Sequence, residues 1–196
     1  MKQFLFFTFC LLLWCSSDVV GQRFRAAAII GANAAQIDGD SLYGFERIGL
    51  TVGGRLSYTN DKVWDVALEM LYSQRGSADG LLKKSSDRGI SLHYLEIPVL
   101  FNLRDWYIEE GKYYKVRAEG GFSYGRLFQT DAVGYNVDEL KKYDVSWIVG
   151  AGVNFTRMFG MSIRYTSSLV DINHEALLEG SRFKSYFITL RGEINF

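Results

Sequence analysis

The stretch FKSYFITLRGEINF, residues 183–196, decides the fold. Tyr186, Ile188, Leu190, Ile194 and Phe196 share one parity, whereas Thr189, Arg191, Glu193 and Asn195 take the other. Successive side chains of a strand point to opposite faces, so this period of two describes a strand with one apolar and one polar side. A helix would instead repeat its apolar positions every three or four residues.

Working outward from that stretch, the same alternation recurs in seven earlier segments. The first, about residues 24–33, is blurred by Ala26, Ala27 and Ala28. The second sets Ile48, Leu50, Val52, Leu56 and Tyr58 against Gly49, Thr51, Gly53, Arg55 and Ser57. The third sets Trp64, Val66, Leu68, Met70 and Tyr72 against Asp65, Ala67, Glu69 and Ser73; the fourth sets Leu95, Ile97, Val99 and Phe101 against Tyr94, Glu96, Pro98 and Asn102. The fifth opposes Tyr114, Val116, Ala118, Phe122 and Tyr124 to Lys115, Arg117, Glu119, Gly121 and Ser123. The sixth opposes Tyr143, Val145, Trp147, Val149, Val153 and Phe155 to Asp144, Ser146, Gly150, Gly152 and Asn154. The seventh opposes Met161, Ile163, Tyr165 and Leu169 to Ser162, Arg164, Thr166 and Ser168.

The connections alternate in length. Residues 59–62 and 156–160 make tight links, and 104–113 a longer turn, while 36–47, 74–89, 128–142 and 171–182 are long and polar. Short turns at one end and long loops at the other are the build of outer-membrane barrels. The fold this predicts is all-β: an eight-stranded antiparallel transmembrane β-barrel with short periplasmic turns and longer extracellular loops. The terminal aromatic, Phe196, on an amphipathic last strand resembles the assembly signal of such barrels.

Alternation alone does not say which face is inside. An eight-stranded barrel is only wide enough to be filled by side chains or to hold one small ligand, and the apolar parity carries too many large residues for that lumen. A soluble carrier with an apolar interior is therefore the weaker reading, and the apolar parity is expected to face lipid. The polar parity mixes small residues with Arg55, Arg75, Lys115, Arg117, Arg164 and Arg191 and with Asp65, Glu69, Glu96, Glu119, Asp144 and Glu193. Six charges of each sign predict an interior ion-pair network, tolerable when buried only if paired and hydrogen-bonded. Tyr58, Trp64, Tyr72, Tyr114, Tyr124, Tyr143 and Phe155 are expected in girdles at the lipid interfaces. Pro98 cannot donate to a ladder, so a bulge or a missing backbone bond is expected there.

At the amino terminus Lys2, an apolar run from Phe4 to Trp14, and the Val19-Val20-Gly21 step read as a secretory signal peptide over residues 1–21. The run is about half of the roughly 20 apolar residues a membrane helix needs. Lipidation at Cys15 is disfavoured by the bulk of Trp14. Both cysteines, Cys10 and Cys15, fall in that leader, so residues 22–196, read as one barrel domain, hold neither disulfide nor thiolate metal site. The chain's 22 basic and 22 acidic side chains cancel and leave no nucleic-acid footprint. One proline, 20 glycines and 15% aromatics fit neither a helical domain nor a disordered chain.

Catalytic and metal chemistry find little support. His93 and His174 are the two histidines; Asp171 and Glu175 flank the second, and a solvated loop histidine is the plainer account. Asp38-Gly39-Asp40-Ser41 lacks the later ligands of a calcium loop. Gly53-Gly54, Gly120-Gly121 and Gly150-Ala151-Gly152 precede no helix and are not phosphate loops; relief of crowding explains them better.

Three segments carry a family likeness: Gly31-Ala32-Asn33 with Gln36-Ile37-Asp38-Gly39-Asp40, Glu69-Met70-Leu71-Tyr72-Ser73-Gln74-Arg75-Gly76, and Tyr94-Leu95-Glu96-Ile97-Pro98. Together they resemble the PorT-like, porin-like outer-membrane β-barrel proteins of the Bacteroidetes. The resemblance implies an eight-stranded barrel in the cell outer membrane, reached after signal-peptide cleavage, and in one branch a link to protein secretion. It implies no catalytic residues.

The function expected is that of a non-enzymatic scaffold without cofactors, its interior closed and its activity carried by loops or a partner. The alternatives are a narrow channel for small solutes and an accessory to protein secretion. Expected partners are outer-membrane lipid, the barrel assembly machinery and, on the last reading, secretion components.

Overall fold

Neighbouring strands pair antiparallel all the way round a cylinder. The computed structural model describes residues 23–38, 47–59, 63–78, 89–133, 141–170 and 184–196. Among them run eight strands: β1 (Phe24–Asp38), β2 (Arg47–Thr59), β3 (Trp64–Ala78), β4 (Gly89–Ile108), β5 (Tyr113–Val133), β6 (Tyr143–Asn154), β7 (Phe159–Ser168) and β8 (Lys184–Asn195). The last returns to the first, with Ile30 opposite Gly192 and Ala34 opposite Ile188, which closes the barrel. Closure removes the unpaired edge that an open sheet would present to lipid. Among the described residues no helix is long and apolar enough to cross a membrane.

The alternation read in the sequence is an alternation of environment. Along β7, exposed and buried residues follow one another in strict order for the first six positions. Ile30, Leu56, Met70, Val99, Phe122, Ile163 and Leu190 stand exposed on the outer wall. The lumen side buries threonine, serine, arginine and carboxylates, with only small apolar clusters such as Ala67, Leu100 and Ile148.

Strands run further than their apolar alternation does. Strand β1 continues to Asp38, β3 to Ala78 and β5 to Val133, and pairs such as Gly76 with Ser91 and Ile90 with Ala132 extend the ladder. Backbone pairing persists there without a repeating apolar face. The link expected over 104–113 is a four-residue turn, 109–112, because Arg104 to Ile108 still pair with Tyr113 to Arg117. Lys112, at φ 51°, supplies the left-handed residue of that turn, and Trp106, at φ 59°, drops out of the ladder opposite Lys115.

Pro98 leaves a gap and no bulge. The β3–β4 ladder pairs Leu68 with Val99 and Leu71 with Glu96 in one register and skips Pro98, whose other side still meets Ser123 of β5. A residue without an N–H cannot complete the bond toward β3. The irregularity lies elsewhere, between His93 and Tyr94, which face Gln129 and Leu127 and leave Phe128 as the extra residue.

The leader (residues 1–21), Asp171, His174, Glu175 and the segment from Gly39 to Ser41 lie outside the described residues. The end of the barrel that carries residues 109–112, 155–158 and both outer strand termini is called the turn end below, and the opposite end the loop end.

Candidate functional site

The polar parity of eight strands converges on the lumen, and its charges assemble there in three tiers. The middle tier is centred on Glu69 of β3. Its carboxylate accepts from Arg55 Nε at 2.6 Å, from both terminal nitrogens of Arg164 at 2.8 Å, and from those of Arg191 at 3.1 and 3.2 Å. Arg55 also donates to Glu119 at 2.9 Å and to Glu193 at 3.3 Å. Arg117 bonds Glu193, Arg164 bonds Glu119, and Arg191 lies 3.0 Å from Glu193. Ser162 ties the tier together, donating to Glu193 and accepting from Arg191, each at 2.8 Å. Four arginines and three glutamates from β2, β3, β5, β7 and β8 are thus joined across the barrel.

Toward the loop end, Arg75 of β3 donates to Glu96 of β4 at 3.0 Å and to Asp144 of β6 at 2.6 Å. Its guanidinium sits 4.7 Å from the Tyr94 ring centroid and 4.3 Å from that of Phe187. Guanidinium planes stack favourably on aromatic faces, and with Leu92 and Leu127 also buried this level packs aromatic and aliphatic side chains around one cation and its two carboxylates. Toward the turn end, Asp65 meets Arg104 Nε at 3.1 Å and accepts from Asn102 Nδ2 at 2.6 Å. Arg104 in turn lies 4.8 Å over the Tyr114 ring.

The buried charged residues among those described are six arginines and six carboxylates. Lys115 is not one of them. Its Nζ lies 4.3 Å over the ring of Trp106, beside the break that the positive φ of Trp106 makes in the ladder. The sixth buried cation is Arg104, which follows Asn102 on the same parity of β4 and continues the strand past the point where the apolar repeat stops. Tyr114, expected in a girdle, lies under the Arg104 guanidinium and lines the turn-end lumen. Tyr58, Tyr72, Tyr124, Tyr143 and Phe155 remain partly or largely exposed.

Glycines of β6 make the middle tier possible. A Cβ on Gly152 would stand 2.9 Å from the Arg117 guanidinium, and one on Gly150 would stand 2.9 Å from Arg164 Cγ and 3.1 Å from Glu119. Both glycines share the lumen-facing parity with Asp144 and Ser146. The side chains of β5 and β7 therefore lie across bare backbone.

Chemically, the arrangement holds charge in place. Arginine cannot shed its proton under ordinary conditions, and the carboxylates of these three tiers are engaged by fixed donors. Among the described residues no group of three histidine, cysteine, aspartate or glutamate side chains is placed to hold a metal. His93 stands on the outer wall near the loop end, its Nδ1 2.7 Å from the Tyr72 hydroxyl, with Phe128 against both rings.

Solved structures share this architecture. Ail, the attachment invasion locus protein of Yersinia pestis, solved with the heparin analogue sucrose octasulfate, superposes with a TM-score of 0.51 at 16% identity, covering 89% of this chain and 99% of that one. The neisserial surface protein A, NspA, superposes with a TM-score of 0.50 at 10% identity, covering 88% of this chain and 97% of that one. At these identities the likeness is one of fold. Among curated proteins nothing matches the chain. The family model for an outer membrane protein beta-barrel domain matches residues 21–173, and with the closed eight-stranded architecture this makes the chain a member of that outer-membrane family.

Proposed function

We propose that the protein is a non-enzymatic outer-membrane scaffold: a closed barrel that presents the long connections of its loop end, or a partner bound there, at the cell surface. The observation that carries this reading is the balanced set of six arginines and six carboxylates that bonds strands together across the lumen. Such a set occupies the path a solute would take, and removing its members is costly. In this account residues 1–21 are a signal peptide removed on export, the turn end faces the periplasm, and the exposed apolar wall contacts outer-membrane lipid. Phe196 addresses the chain to the barrel assembly machinery.

The residues that resemble PorT-like barrels of the Bacteroidetes take defined places: Glu69, Arg75 and Glu96 belong to the charged lumen, and Pro98 makes the gap beside Glu69. This supports membership of that family, one branch of which would carry a finer reading as an accessory to protein secretion. A deletion strain that secretes normally would remove the finer reading and leave the scaffold.

Vesicles carrying the purified barrel test the scaffold itself. Their osmotic swelling in small sugars should match that of empty vesicles; swelling that falls with solute size would make the narrow channel the better account. Recovery with the outer-membrane fraction, and a different electrophoretic mobility before and after boiling, are expected of the same preparation.

A further inference from the structure

Below the middle tier the lumen opens at the turn end into a cavity of about 620 Å³. Its size lies within the roughly 300–1,000 Å³ of small-molecule sites. Six cationic side chains line it: Arg25, Arg55, Arg104, Lys112, Arg117 and Arg157. Among the described residues the acidic side chain on the same wall is that of Asp65. The glutamates that engage Arg55 and Arg117, namely Glu69, Glu119 and Glu193, lie deeper and outside the cavity lining.

The cations divide into two kinds. Arg55, Arg104 and Arg117 are buried and committed to carboxylates. Arg25 at the start of β1, Lys112 in the 109–112 turn and Arg157 in the 155–158 turn are exposed, and none of their charged side-chain groups has a hydrogen-bonding or ionic partner among the described residues. They come from three separate points of the rim and border one cavity. A cleft walled by low-dielectric barrel and lined by one sign of charge focuses its field and concentrates counter-ions of the other sign. Tyr113, Tyr114 and Phe24 add aromatic surface beside them, which suits a solute with an organic body and not a bare ion.

We propose that this turn-end vestibule is a binding site for a small organic oxyanion, a sugar-sized solute bearing phosphate or carboxylate, held at its charged end by Arg25, Lys112 and Arg157. The tiers above it block onward passage, so the site retains its ligand and does not conduct it. The placement on the periplasmic side rests on the orientation proposed above; the site itself does not.

Calorimetric titration of the full barrel in a neutral detergent tests the site, with glucose 6-phosphate, glucuronate and glucose as probes at low and high salt. Saturable binding of the phosphate, the carboxylate or both, weakened by salt, is expected, and the stronger of the two identifies the source of the oxyanion. The combined variant Arg25→Gln, Lys112→Gln, Arg157→Gln should bind at least tenfold more weakly, while Arg126→Gln on the outer wall should bind as the parent does. Unaltered heat-dependent mobility of each variant shows that its barrel is intact. Absence of binding by both anions, equal binding of glucose, or full affinity in the triple variant would overturn the proposal. None of these outcomes bears on whether the lumen conducts, so the scaffold reading stands or falls separately.

Discussion

Gly152 lies directly beneath the guanidinium of Arg117: a methyl group on the glycine would come within 2.9 Å of the arginine's Cζ. The bare backbone of β6 is therefore part of the charged tier. Gly152→Val should push the buried Arg117 guanidinium off Glu193, which keeps Arg55, Arg191 and Ser162, and so break one buried pair of the tier, a loss of about 3–5 kcal/mol by analogy with other broken buried pairs. The check is the temperature at which the compact, fast-migrating form disappears, which should fall well below that of the parent, whereas Gly54→Ala, with no close neighbour nearer than 3.7 Å, should leave it near the parent value.

Glu69 is the hub of the middle tier, since three arginines donate to it. Glu69→Gln should destabilise the barrel by several kcal/mol, roughly the cost of uncompensated buried charge. Glu69→Gln with Arg191→Gln restores the balance of charge and should lose less than the sum of the two single changes. Urea unfolding from lipid vesicles, run as a double-mutant cycle, measures the coupling; additive losses would mean the charges act independently.

The outer wall should behave as a lipid surface. Leu190, exposed and paired with Ile163 near the middle of β7, is replaced in the test by arginine. In a membrane barrel such a charge near the midplane costs about 2–4 kcal/mol, while the same change on a water-facing wall would be close to neutral. The equilibrium for folding into vesicles separates the two.

Phe196 is 77% exposed, and its backbone N–H donates to the Ala26 carbonyl at 2.9 Å. Phe196→Ala keeps that bond and removes little packing. Folding into vesicles in vitro should be unchanged, yet the amount of assembled barrel in the outer membrane of cells should drop. Equal amounts of both proteins in the membrane would show that the terminal ring is not an assembly signal.

Much of this architecture is legible in residues 183–196 and their echoes, because lipid and lumen impose opposite chemistry on alternate residues of every strand. The reading weakens where one of those two environments ends. Beyond the lipid the strands keep pairing without an apolar face, so β3 and β5 run on to Ala78 and Val133. Near the turn end β4 runs on past its apolar repeat, which hides Arg104, and the positive φ of Trp106 breaks the ladder beside Lys115, whose ammonium lies over that ring. Which charges meet is a matter of closure: Glu69 and Arg191 are 122 residues apart in sequence and become neighbours across the lumen only when β8 pairs with β1. The vestibule, likewise, depends on three turn-end cations that no local pattern connects.

Current through single barrels in planar bilayers tests the central claim most directly. A lumen crossed by the Glu69 tier and closed around Arg75 should give no steady open-channel steps in the parent protein. Large, long-lived, porin-like steps from the folded barrel would contradict the closed scaffold.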